Sequence, residues 1–150
     1  MLYRVSQVIG RILLWIGFRV RLEGLENIPK EGAYIVIANH SSFLDPFLMA
    51  AYIPRIINYL MYAQYYFLPS LHWYCKRTYC IPLKKDGKDI SALKNALRLL
   101  KSGELVGIFP EGERSLTGEL GPGAPGVALM AIKARVPILP IGLIGTFQAF

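Results

Sequence analysis

The sequence predicts an α/β domain with a central, mostly parallel sheet flanked by helices. Short apolar runs rich in Ile and Val recur along the chain, each bounded by Gly, Pro or Asn. Between them lie segments whose apolar residues recur at helical spacing, and strands alternating with helices in this way pair in parallel. With 150 residues, 53% of them hydrophobic, the chain can bury one core but is short for two.

The first 22 residues, "MLYRVSQVIGRILLWIGFRVRL", are expected to form an amphipathic helix, leaving 23–150 as the main domain. Arg4, Gln7, Arg11 and Arg19 interrupt the ~20 apolar residues that a membrane-spanning helix needs. A signal peptide fits poorly, because Gln7 and Arg11 break the apolar region and no small-x-small cleavage site follows. Arg4, Gln7 and Arg11 share one helical face opposite Ile9, Ile12, Leu13 and Ile16, with Trp15 and Phe18 as interfacial anchors. A basic polar face of this kind suits a helix lying in a membrane surface; the other reading is a helix packed on the protein's own core.

"LENIPKEG" is turn chemistry, and "AYIVIAN", 33–39, reads as a buried strand. The long apolar block 46–74, interrupted by Pro54 and Pro69, is expected as one or two broken helices whose Tyr, Phe and Met side chains line a greasy groove. "YCIPL" is a short strand and "KKDGKD" a turn. Ile90, Leu93, Leu97 and Leu100 then mark a helix, with Asp89 or Ser91 as N-cap and Gly103 beyond its end. "ELVGIFP" is a strand closed by Pro110, "GVALMAIKARV" a helix, and "PILPIGLIG" a last strand. A core strand normally has elements beside it, so a chain stopping at Phe150 is expected to be a short variant or a fragment.

Two stretches carry chemistry. In "NHSSFLD", His40 follows a strand and Asp45 lies five residues on, in the first turn of a helix. An imidazole with an ordinary pKa near ~6.5 is suited to remove a proton at neutral pH, and a carboxylate on its other nitrogen fixes tautomer and orientation. "SFLD" also matches a capping box, and that reading predicts nearly the same geometry. In "FPEGERS", Glu111, Gly112, Glu113 and Arg114 occupy a turn at the carboxyl edge of the sheet, where α/β proteins bind ligands. Arg114 is either a phosphate fork or half of a solvated Glu–Arg pair. Lys84 and Lys85 either add positive charge for an acidic head group or form a surface loop.

Other chemistries lose support. "GPGAPG" matches G-x-G-x-x-G but follows no strand directly and lacks an acid about twenty residues on, so no dinucleotide site is read there. There is no G-x-S-x-G elbow and no phosphate-binding P-loop. Cys75 and Cys80, spaced C-x4-C, read as reduced thiols and not as a disulfide or a zinc site.

"NHSSFLD", a basic "IPLKK", "FPEGERS" and "VPILPIG", in this order, resemble the glycerolipid acyltransferase family of lysophosphatidate acyltransferases (PlsC-like) over Leu22 to Thr146. The resemblance implies His40 as catalytic base with Asp45 as its partner. It also implies acceptor binding by Glu111, Gly112 and Arg114, with Lys85 in the second block and Pro137 in the last. The chain departs from the family's pattern at Glu113, where Thr is common, at Lys85, where Arg is usual, and in lacking basic residues before Gly126. These departures bear on the acceptor.

The implied reaction transfers a fatty acyl chain from acyl-CoA or acyl carrier protein to the hydroxyl of lysophosphatidate. The thioester is a co-substrate, and no metal or other cofactor is called for. The implied setting is monotopic, on the cytoplasmic face of a membrane carrying anionic lipids. Alternatives are another acceptor, such as glycerol 3-phosphate or another lysolipid, and a non-catalytic basic module binding anionic lipid through the net charge of +7. No nucleic-acid recognition motif is present, and nucleic acid is not expected as a partner.

Overall fold

The computed structural model describes residues 2–84 and 89–149. The elements are α1 (Leu2–Gly17), a 3-10 turn (Leu25–Asn27), β1 (Ile35–Ala38), α2 (Asp45–Tyr52), β2 (Ile57–Tyr62), α3 (Ala63–Tyr66), α4 (Pro69–Arg77), β3 (Ile81–Leu83), α5 (Ile90–Lys101), β4 (Leu105–Ile108), α6 (Gly126–Ala134), β5 (Ile138–Ile141) and α7 (Thr146–Ala149). The five strands form one sheet in the order β3-β2-β4-β1-β5, and every pairing is parallel. All carboxyl ends therefore lie on one edge. There β1 is flanked by β4 and β5, which brings the loops after these three strands together.

Alternation along the strands builds two cores. Ile35, Ile81, Val106 and Ile108 face Ala92, Ala96 and Leu100 of α5 and Val127 and Met130 of α6. Tyr34, Val36, Ala38, Ile57, Tyr59 and Leu105 face the other way, onto Met49 of α2 and the following Ile53. The expected apolar row of α5 is rotated: Ala92, Ala96 and Leu100 are its buried line, Leu93 and Leu97 are half-buried beside it, and Ile90 is 66% exposed. Alanines on the inner line let the helix approach the sheet closely. Its N-cap is Asp89, which accepts from the amides of Ser91 and Ala92 at 3.0 and 3.1 Å.

The block 46–74 differs from expectation. It contains helices, but Ile57–Tyr62 between them is a strand, inserted between β3 and β4. A parallel strand buried on both faces has an unbroken apolar sequence and lacks the period of two that marks a half-exposed strand. Its first three residues are fully buried.

α1 packs on the outer side of α2, and does so with its polar stripe. Gln7 Nε2 donates to the carbonyls of Ala50 and Ile53 at 2.8 and 2.9 Å, and Arg11 Nε donates to the carbonyl of Ala51. These are carbonyls at the carboxyl end of α2, which have no partner inside their own helix. Tyr3 and Leu14 complete the inward face, and the Tyr3 hydroxyl accepts from the Ile57 amide at 3.1 Å. Burial pushes the Tyr3 phenol up to about 12, partly offset by that amide. Val5, Val8, Ile9, Ile12, Leu13, Trp15 and Ile16 point outward, 47% to 80% exposed. No helix of the described residues is long and apolar enough to cross a membrane.

Candidate active site

His40 stands two residues beyond the end of β1. Its Nδ1 lies 2.8 Å from Asp45 Oδ2, and Asp45 is completely buried whereas the imidazole is 18% exposed. The same carboxylate oxygen accepts from the amides of Ser41 and Ser42 at 2.7 and 2.8 Å. The two readings of Asp45 thus describe one arrangement: a carboxylate at the start of α2 reaches back to the preceding turn as in a capping box, and the imidazole uses the same oxygen. Burial works to raise the Asp45 carboxyl, but the hydrogen bonds from His40 and from the Ser42 and Ser41 amides, with the Thr146 hydroxyl close by, outweigh it and hold its pKa below the usual value. An ionised Asp45 keeps the imidazole proton on Nδ1, which leaves Nε2 as the basic nitrogen.

The imidazole is fixed in its plane by stacking on Phe109, with centroids 4.0 Å apart and planes 20° from parallel. Phe109 in turn stacks on Tyr59, whose hydroxyl donates to the Pro46 carbonyl at 2.9 Å. This layer ties β2, β4 and α2 to the orientation of one ring.

The turn after β4 closes over the histidine. Glu111 Oε1 accepts from the His40 amide at 2.8 Å, and Oε2 accepts from the Gly121 amide at 2.8 Å. Ser115 N donates to the His40 carbonyl at 2.7 Å. Both backbone groups of His40 are therefore held by the Phe109–Ser115 turn. Gly112 has φ 76°, and a Cβ there would meet the Tyr62 hydroxyl at 3.1 Å, so the tight turn needs glycine. Arg114 lies on the exposed rim, its guanidinium 3.6 Å from the ring centroid of Phe43. On the other flank Asn39 exchanges two hydrogen bonds with the Leu143 backbone, at 2.9 and 2.7 Å, extending the pairing of β1 with β5 beyond the strands.

Of the residues singled out from the sequence, His40, Asp45, Glu111, Gly112 and Arg114 gather in this site. Pro137 does not: it precedes β5 at the amino edge of the sheet, where its carbonyl accepts from the Ile35 amide at 3.0 Å. Lys85 lies outside the described residues. Phe109 and Phe43 were not singled out, although each sits inside a quoted motif. A groove of about 780 Å³ runs between the end of α1, α2 and the β5–α7 loop, walled by Leu14, Phe18, Leu48, Met49, Ile141 and Leu143. It reaches Leu44 and Thr146, beside the buried carboxylate. Only part of its wall comes from the Tyr/Phe/Met block expected to supply it.

A parallel α/β sheet that carries at its carboxyl edge a histidine paired with a buried carboxylate is an arrangement able to move a proton, and Arg114, in the turn that holds His40, adds a positive charge. Residues 19–144 match the protein-family model described as Acyltransferase, and the chain belongs to that family. It is 30% identical over 145 residues to a chloroplastic 1-acyl-sn-glycerol-3-phosphate acyltransferase of Brassica napus, covering 95% of this chain and 42% of that one. It is 27% identical over 131 residues to a 1-acyl-sn-glycerol-3-phosphate acyltransferase of Bacillus subtilis (strain 168), covering 87% and 65%. The crystal structure of the 1-acyl-sn-glycerophosphate (LPA) acyltransferase PlsC from Thermotoga maritima matches with a TM-score of 0.82 at 30% identity, over 97% of this chain and 58% of that one. This chain spans less than two thirds of the length of each of these three proteins.

Proposed function

We propose that the protein is an O-acyltransferase that moves a fatty acyl group from an acyl-CoA or acyl carrier protein thioester to the hydroxyl of lysophosphatidate, with His40 as general base. The observation that carries this reading is the 2.8 Å contact between His40 Nδ1 and a buried, ionised Asp45, which leaves Nε2 basic. His40 Nε2 takes the acceptor's hydroxyl proton as that oxygen attacks the thioester carbonyl. The tetrahedral intermediate collapses, the C–S bond breaks, and the thiol leaves as a thiolate that the imidazolium can protonate. A thiol pKa near ~8.5 makes it a good leaving group, so no acyl-enzyme is needed and Cys75 and Cys80 have no part in the scheme. The thioester is a co-substrate; the scheme calls on no other cofactor.

Arg114, steadied against Phe43, is the group for the acceptor's phosphate, and Gly112, at φ 76°, forms the tight turn that carries it. Glu111 serves by holding the His40 backbone. Lys85 belongs to the same proposal by its place in the family's motif. The outward apolar face of α1 seats the protein on an anionic membrane surface, where the acceptor resides. Acyl thioesters are cytosolic, which puts the working face on the cytoplasmic side. The groove beside Asp45 gives an acyl chain an apolar wall.

The test is transfer from labelled acyl-CoA to lysophosphatidate in vesicles, wild type against His40→Ala, with folding checked by circular dichroism. A loss of about a hundredfold to ten-thousandfold is expected from removing the base. Near-normal turnover in the variant overturns the reading. Glycerol 3-phosphate and other lysolipids run in parallel identify the acceptor, which an arginine on the rim does not by itself distinguish from other phosphate monoesters.

A further inference from the structure

The two carboxylate oxygens of Asp45 stand in unlike surroundings. Oδ2 carries three donors, His40 Nδ1 and the amides of Ser41 and Ser42. Oδ1 is sealed from solvent and makes no hydrogen bond of standard geometry. A buried, charged carboxylate oxygen without a hydrogen bond is costly, and such an atom calls for a donor nearby.

One is at hand. Thr146 opens α7, 101 residues further along the chain, and its hydroxyl is one of the groups that favour the charged carboxylate. Its Oγ1 is 3.0 Å from Ser41 Oγ, and both residues are buried. Either hydroxyl can be the donor, and the count of protons distinguishes the two directions. The two hydroxyls hold two protons, and their mutual hydrogen bond uses one. If Ser41 donates to Thr146, the Thr146 proton is free to turn onto Oδ1, the acceptor that otherwise has none. Hydroxyl protons rotate to suit their surroundings. The segment that delivers Thr146 is latched to the site by the paired hydrogen bonds between Asn39 and the Leu143 backbone. Gly145, at φ 85°, lets the chain turn into α7 directly before it.

We infer that Thr146 is a positioning residue for the His40–Asp45 pair: its hydroxyl, backed by Ser41, holds Asp45 Oδ1 so that Oδ2 stays aligned on His40 Nδ1. Residue 146 lies beyond the 19–144 span of the family match. As a contribution to turnover this rests on the proposed acyl transfer; as a contribution to the geometry of the pair it does not.

The experiment uses the full chain with Thr146→Val, which keeps the shape and removes the hydroxyl, Thr146→Ser, which keeps the hydroxyl, and Thr146→Ala in case valine hinders folding. Two readouts are taken. The proton NMR resonance of the His40 Nδ1–H, assigned by its disappearance in His40→Ala, reports the hydrogen bond without any substrate. Acyl transfer reports kcat and KM separately. Expected are a shifted or broadened resonance and a kcat lowered by about tenfold at unchanged KM for Val and Ala, the size of effect that a misplaced catalytic group gives, with Ser near wild type on both counts. A resonance unmoved in Val and Ala overturns the inference, and so does equal damage in Ser and Val. If wild type transfers no acyl group yet the resonance responds as expected, the proposed reaction fails and the positioning role stands.

Discussion

Asp45 carries two opposed influences, and their balance fixes how the protein responds to acid. Burial disfavours its charge, while the hydrogen bonds from His40, Ser42 and Ser41, with the Thr146 hydroxyl close by, favour it and prevail, so the folded pKa is below the unfolded one. The stability that Asp45 contributes is then fully present above its unfolded pKa of about 3.9 and disappears as pH falls through the lower folded value. Asp45→Asn is therefore expected to be less stable than wild type by thermal or urea unfolding above about pH 5, with the gap narrowing below about pH 4. A gap independent of pH would mean that the loss comes from packing and not from the charge. His40 and Asp45 were legible in the sequence because the pair spans five residues after an apparent strand. Phe109 and Thr146 were not, because their proximity to His40 depends on β1 lying between β4 and β5. That order is settled by pairing across 71 positions for β1 with β4 and 103 for β1 with β5, which no local pattern encodes.

Among the elements, β4 is held most tightly by its neighbours. All four of its residues are buried, and Gly107 faces β2. A Cβ at this position would stand 2.4 Å from Ile57 Cγ2 and 2.7 Å from the Tyr59 ring. Neither can yield easily, since Ile57 is fully buried and Tyr59 is tied through its hydroxyl to Pro46. Gly107→Ala should thus destabilise by about 1–3 kcal/mol, the usual range for overpacking, and should loosen the Tyr59–Phe109–His40 stack with it. The checks are chemical denaturation and acyl transfer on the same preparation; a variant as stable as wild type would mean that β2 moves aside freely. Most elements were legible from their boundaries: Asp89 before α5, Pro110 after β4, the Ile and Val runs of β1 and β5. β2 was not, since "INYLMY" lies in one long apolar block and a doubly buried strand looks there like a buried helix. The β-branched pair Ile56–Ile57 just after Pro54 was the available hint.

At the scale of the whole molecule, α1 is mounted with its polar stripe inward. Gln7 and Arg11 spend their donors on the end of α2, and seven apolar side chains are left facing out. Amphipathicity was legible in the sequence, yet which face meets the protein was not, because an unpaired carbonyl row at the end of α2 appears only once the chain is folded. A soluble surface would reverse this arrangement; the lipid surface proposed above would account for it, with Trp15 at 80% exposure as an interfacial ring and a net charge of +7 to draw in anionic head groups. Ile12→Glu with Ile16→Glu removes apolar contact at residues 50% and 70% exposed, so folding should be unaffected while partitioning onto phosphatidylglycerol vesicles falls at least about tenfold. Raising the salt should weaken the charge-driven part for wild type and leave the apolar part. Vesicle binding unchanged in the double variant would dismiss α1 as the anchor, and a wild-type dimer in lipid-free solution that the variant cannot form would assign the same face to a second copy of the chain. Acyl transfer to a water-soluble acceptor should survive in the double variant, because the groups that hold His40, Asp45 at the start of α2 and Phe109, Glu111 and Ser115 after β4, are none of them on α1.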